Sequence, residues 1–176
     1  MEAILYKIIS GFFSVIGLIP RDAAIRIAGF LGRIWFVVDK RHRDVALENL
    51  THVFGTEKDA VQIRKLARQV FCNLILIIFE IGWVMRIRVK DLPRYFHVHG
   101  LHYLKAAHKK GKGVLVLTGH LGNWELGGAY FSLLGIHQPY GIYHPLTNKH
   151  FDRLMIKMRT RLGAGTYPMK DTFRGM

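Results

Sequence analysis

His120 and Glu125 are the residues of this 176-residue chain whose types and spacing best fit a reaction. They stand in the stretch Val114 to Gly128, which reads VLVLTGHLGNWELGG. A histidine beside a carboxylate is a general-base arrangement. The acid holds the Nδ1 proton and fixes the tautomer, which leaves Nε2 to take a proton from a hydroxyl. Taken alone, a histidine near a glutamate is more often a structural hydrogen-bonded pair. Here Gly119, Gly122, Gly127 and Gly128 surround it and leave room for a substrate to approach the backbone.

Particular elements must position such a pair. Val114 to Leu117 is a short, wholly apolar run with two β-branched residues, the pattern of a strand buried on both faces of a sheet. Thr118 and Gly119 end it, Gly122 allows a sharp turn, and Asn123 can cap a helix from Trp124 to Leu134. The imidazole would then sit at the carboxyl end of a buried strand, where open α/β sheets place their ligands. Glu125, in the first helical turn, would fold back towards it.

The surrounding sequence predicts an alternating pattern. Phe96 to His99 reads as a strand, Leu101 to Lys110 as a helix, Pro139 to Tyr143 as a strand, and Lys149 to Leu162 as a helix. A weak strand follows at Thr166 and Tyr167, and a further helix begins near Met176. Short connections between such elements imply a mostly parallel βαβ sheet. A second group of candidates follows the third strand: His144, Asn148, Asp152, Arg153, Arg159 and Arg161. An arginine near the end of that helix can hold a phosphate bidentately or stabilise a developing oxyanion, although helix-end arginines are also ordinary solvated groups. Arg153 is expected to pair with Asp152 or solvent. His97, His99, His102 and His108 lack an accompanying carboxylate or cysteine at a usual spacing, so no metal site is expected.

The first half of the chain has a different texture. Residues 3–19 are apolar apart from Lys7, Ser10 and Ser14, at the short limit for spanning a bilayer, where about 20 residues are usual. Pro20 ends the run, and six basic residues from Arg21 to Arg43 follow it, which by the positive-inside rule places the bulk of the chain in the cytoplasm. An interfacial helix fits these residues nearly as well as a spanning one. Arg41 to Phe54 has helical spacing, with Gly55 to close it. Thr56 and Asp59 resemble a capping box for a helix whose second half, to Ile81, is apolar nearly all round. The division expected is a helical, membrane-associated region over 1–92 and an α/β region over 93–176.

Composition narrows the partners. A net charge of +14 favours anionic ones: nucleic acid, acidic lipid surfaces, phosphorylated lipids or an acidic carrier protein. Half the residues are hydrophobic, which tips the balance towards membrane. A nucleic-acid binder would rest on charge alone, since no recognisable module is present and apolar helices interrupt the basic residues. The lone Cys72 excludes an internal disulfide.

The block GHLGNWELGG resembles the signature of the lipid A biosynthesis acyltransferases, the late or secondary acyltransferases of the glycerolipid (lysophospholipid) acyltransferase superfamily. His120, four residues and Glu125 match its hallmark. The segment YHPLTNKHFDRLMIKMRTRLG follows by one strand, as in that family. The resemblance implies a glycerolipid-acyltransferase-type α/β domain, incomplete at its C-terminus. It also implies transfer of a fatty acyl chain from an acyl carrier protein or coenzyme A thioester to a hydroxyl of a lipid A precursor. His120 and Glu125 would be catalytic, and Gly122, Asn123, Trp124, Arg159 and Arg161 would bind substrate, with no cofactor and no metal. Acyl carrier protein, an anionic glycolipid and the inner-membrane surface would be the partners, and nucleic acid would not. The expected place is the cytoplasmic face of a bacterial inner membrane, with the N-terminal apolar helix as anchor. Alternatives are an acyltransferase of the same superfamily acting on a phospholipid or phosphatidylinositol mannoside, and an inactive truncated membrane-associated remnant.

Overall fold

The computed structural model describes residues 2–88, 90–91, 93, 96–131, 134, 139–161 and 163–169. Four helices come first: α1 (Glu2–Ile16), α2 (Arg21–Val38), α3 (Lys40–Phe54) and α4 (Ala60–Val84). Then follow α5 (Leu101–His108), α6 (Trp124–Phe131), β1 (Tyr140–Tyr143), α7 (Lys149–Arg161) and β2 (Gly165–Pro168). The chain packs as two units, Val15–Trp83 and Met1–Ser14 with Val84–Met176.

In the helical unit, α2 buries Ala24, Ala28, Gly32 and Phe36, a strict four-residue spacing along one helix face. Small residues there let helices approach closely. A Cβ placed on Gly32 would lie 2.5 Å from the Cα of Cys72 on α4, and the Cys72 thiol donates to the Gly29 carbonyl at 3.6 Å. Phe36, Ala67 and Phe71 form the core of this unit, with Trp35, Ala46, Leu47 and Leu50 packed against it. The Phe36 and Phe71 rings meet edge to face at 5.4 Å. Asp39 and Gln62 explain where the helices start. The Asp39 carboxylate accepts from the His42 amide at 3.1 Å and caps α3. Asp59 and Gln62 exchange reciprocal side chain to backbone bonds, 2.8 and 3.1 Å, at the start of α4. The capping box is therefore Asp59/Gln62, three residues beyond the Thr56/Asp59 pair that the sequence pointed to.

Among the described residues, α4 is the one helix long and apolar enough to cross a bilayer by itself. Its 25 residues reach about 37 Å at 1.5 Å each. The 15 residues of α1 reach about 22 Å, short of a hydrocarbon core of roughly 30 Å. By itself α4 has that capacity, whereas the expected segment 3–19 has it only together with α2, as one broken span.

The second unit is built round α7. Asn148 caps it, its Oδ1 accepting from the His150 and Phe151 amides at 3.0 and 3.1 Å, and Leu154, Met155 and Met158 form its buried face. The N-terminal residues pack here too. Phe13 stacks on Phe151 at 5.8 Å, and the Arg153 guanidinium lies 5.2 Å over the Tyr6 ring rather than on Asp152, whose Oδ1 accepts from the Leu146 amide. Strands β1 and β2 pair in parallel, Tyr140 opposite Gly165, with α7 as the crossover. A Cβ on Gly165 would lie 2.2 Å from the Tyr140 ring, so only glycine lets that ring close over the strand.

The fold is broadly α/β, mostly helical with one small parallel sheet. Two expected strands are corrected. Residues 114–117 carry no regular secondary structure, the described residues contain only the β1–β2 ladder, and Leu115 and Leu117 are 92% and 96% exposed instead of buried. Residues 96–99 likewise carry no ladder. An apolar β-branched run supplies propensity, whereas a strand also requires a neighbour to take its backbone hydrogen bonds. The helix expected near Met176 falls in 170–176 and the last turn of the helix after Asn123 in 132–133, outside the described residues.

Candidate active site

The site is built where α6 and α7 meet. Gly122 adopts φ +57°, the left-handed conformation glycine tolerates, and turns the chain into α6. Asn123 then caps that helix as its position implied, its Oδ1 accepting from the Leu126 amide at 3.1 Å. Glu125 follows in the first turn, 7% exposed, and is the buried charged residue of the described chain. An ionised carboxylate in that position is costly unless a full opposite charge and good hydrogen bonds accompany it.

Arg159 meets that requirement. From the last turn of α7 its Nε donates to Glu125 Oε2 at 2.8 Å and its terminal nitrogen to Oε1 at 2.5 Å, a bidentate pair. The Trp124 indole Nε1 adds a third bond to Oε1 at 3.1 Å. The carboxylate hydrogen bond, opposed by burial, holds the Arg159 guanidinium even further above its ordinary range, so it stays charged at any working pH. Its other face lies 5.5 Å over the ring of Tyr143, the last residue of β1.

His120 is exposed, and its ring meets the Trp124 indole edge to face at 4.7 Å. The carboxylate of Glu125 is turned to Arg159 rather than to the imidazole. A neutral imidazole competes poorly for a buried carboxylate against a guanidinium that offers two parallel charged donors. The structure therefore joins His120 to Trp124, Trp124 to Glu125, and Glu125 to Arg159, in that order. Arg161 goes elsewhere: its two terminal nitrogens donate to the carbonyls of Val84 and Ile87 at 3.1 and 2.8 Å, at the end of α4.

The Glu125–Arg159 pair is what sequence reasoning missed. A signal for it existed, because α6 reads WELGGAYF with a single charge, and so apolar a helix implies a buried carboxylate that needs a cation. Nothing in the sequence pointed Arg161 at carbonyls 74 and 77 residues away.

Chemically, this arrangement offers an accessible imidazole beside an aromatic wall, next to a glycine turn with free approach to its backbone. The Glu125–Arg159 ion pair is joined to that wall through the Trp124 indole. The profile of the bacterial lipid A biosynthesis acyltransferases matches residues 2–176. The chain is 28% identical over 123 residues to the lipid A biosynthesis palmitoleoyltransferase of Escherichia coli K12. It has the same identity over the same length to the lipid A biosynthesis acyltransferase of Shigella flexneri. Each alignment covers 69% of this chain and 39% of the relative, so the matched part of this chain spans about two-fifths of those proteins. No solved structure matches it. With residues 2–176 all within the match, the chain belongs to the bacterial lipid A biosynthesis acyltransferase family.

Proposed function

We propose that the protein transfers a fatty acyl chain from an acyl carrier protein or coenzyme A thioester to a hydroxyl of a lipid A precursor. The family match over residues 2–176 carries this reading. In it, His120 Nε2 removes the acceptor hydroxyl proton while the oxygen attacks the thioester carbonyl. The tetrahedral intermediate collapses, the C–S bond breaks, and the thiolate takes the proton back from the imidazolium as it leaves. No acyl-enzyme is required, because the thioester is already activated.

Supporting features are the exposure of the His120 ring and the free approach at Gly122, whose amide can face the oxyanion. Glu125 acts through structure in this scheme. Clamped by Arg159, it holds the indole of Trp124, against which the imidazole rests. Arg159 is a positioning residue here, and the substrate contacts fall to Gly122, Asn123 and Trp124. The charge of +14 suits an acidic carrier protein and a phosphorylated glycolipid, and α4 can hold the protein at the cytoplasmic face of the inner membrane.

The test is mass spectrometry of lipid A from bacteria lacking their own late acyltransferase. Supplying the whole protein is expected to add the mass of one acyl chain to lipid A, and its His120→Ala variant is expected to add none. An acyl gain on phospholipid instead would move the acceptor to the alternative within the superfamily. A gain with the variant would remove His120 from the chemistry.

A further inference from the structure

Beside the core of the helical unit lies an open groove of about 360 Å³, within the roughly 300–1,000 Å³ of small-ligand sites. Trp35 of α2, Ala46 and Leu50 of α3, and Val70 and Leu74 of α4 line it, with His42 and Asn49 as polar residues on its wall. The lining suits an aliphatic chain. One wall belongs to α4, the helix able to cross a bilayer, so acyl chains of the membrane are the apolar ligands at hand.

Charge at the groove selects among them. Asp39 spends its carboxylate on the Trp35 indole at 2.9 Å and the His42 imidazole at 2.7 Å, which fixes both side chains at the wall. Lys40 and Arg41 are exposed on the same turn as His42. The guanidiniums of Arg64 and Arg68 stand 5.3 and 5.8 Å from the ring of Phe36, next to Trp35. Lys40 and Arg41 thus adjoin the wall residue His42 in sequence, and Arg64 and Arg68 stand over Phe36 of the core that the groove borders, a basic neighbourhood of the kind that recruits phosphate headgroups.

We infer that this groove holds one acyl chain of an anionic membrane lipid, its headgroup beside His42, Lys40, Arg41, Arg64 and Arg68. The inference is independent of acyl transfer at His120, and its test needs no turnover. The whole protein is placed in phosphatidylglycerol vesicles containing phosphatidylglycerol with a diazirine on its acyl chain, irradiated and digested, and the adducts mapped. Adducts are expected on the segments carrying Leu50, Val70 and Leu74.

Two variants fill the groove. Ala46→Phe does so from within, and Val45→Trp from a half-exposed position that spares the fold. Each is expected to lower the adduct yield roughly ten-fold, and a phosphatidylcholine probe to label several-fold more weakly than phosphatidylglycerol. Unchanged labelling in Val45→Trp, or equal labelling by the two lipids, would overturn the inference. So would cross-linking of two copies through this groove without lipid adducts.

Discussion

His42 and His120 each stand close in sequence to a carboxylate, and the two regions use that neighbour differently. In the helical unit, Asp39 is three residues before His42 and caps the helix that carries it. One carboxylate reaches both the His42 amide and Nδ1, at 3.1 and 2.7 Å. Around His120, the acid lies five residues later on the far side of a glycine turn and a capping asparagine. Its charge is buried and is claimed by Arg159. Proximity in sequence makes a histidine–acid pair when the two share a helix end and stay near solvent. A buried acid pairs with the strongest cation within reach.

The largest expected effect comes from breaking the buried pair. Arg159→Leu leaves Glu125 buried without its cation and is expected to cost about 3–5 kcal/mol, read by denaturant unfolding. Adding Glu125→Gln to it is expected to recover part of the loss. Equal stability of Arg159→Leu and the wild type would show that Glu125 has another partner.

Trp124→Phe sharpens the comparison. It keeps a ring beside His120 and removes the indole bond to Glu125, for an expected loss of about 1 kcal/mol in the same measurement. The smallest effect, and one that depends on pH, belongs to Asp39. Its hydrogen bonds from the His42 backbone and the Trp35 indole hold its carboxyl below the usual carboxylate range. A depressed value contributes stability that is present above the unfolded carboxylate pKa and lost as pH falls through the lower folded value. The wild type is therefore expected to lose this increment on acidification from near pH 4 downwards. Asp39→Asn is expected to melt earlier at neutral pH and to show a weaker acid dependence in thermal scans.

What the sequence made legible was local. Asn123 as a cap, Gly122 as a turn, α7 over Lys149–Arg161 and the flanking strands β1 and β2 all follow from neighbours within a few residues. Helix α2 was not legible in this way, because basic residues interrupt its buried Ala24, Ala28, Gly32 and Phe36. Partnerships over long separations were not legible. The backbone neighbours of 114–117 and the choice of Arg159 by Glu125, 34 residues apart, depend on which surfaces meet. Residue types alone leave that choice open.

The central claim is that His120 is the base, and that its acid neighbour acts through structure. It is tested most directly by acyl transfer from a radiolabelled acyl carrier protein thioester to a lipid A precursor, with the purified whole protein and its His120→Ala variant. The variant is expected to melt at the wild-type temperature and to lose between about a hundred-fold and ten-thousand-fold in turnover. A folded His120→Ala protein with turnover near that of the wild type would contradict it.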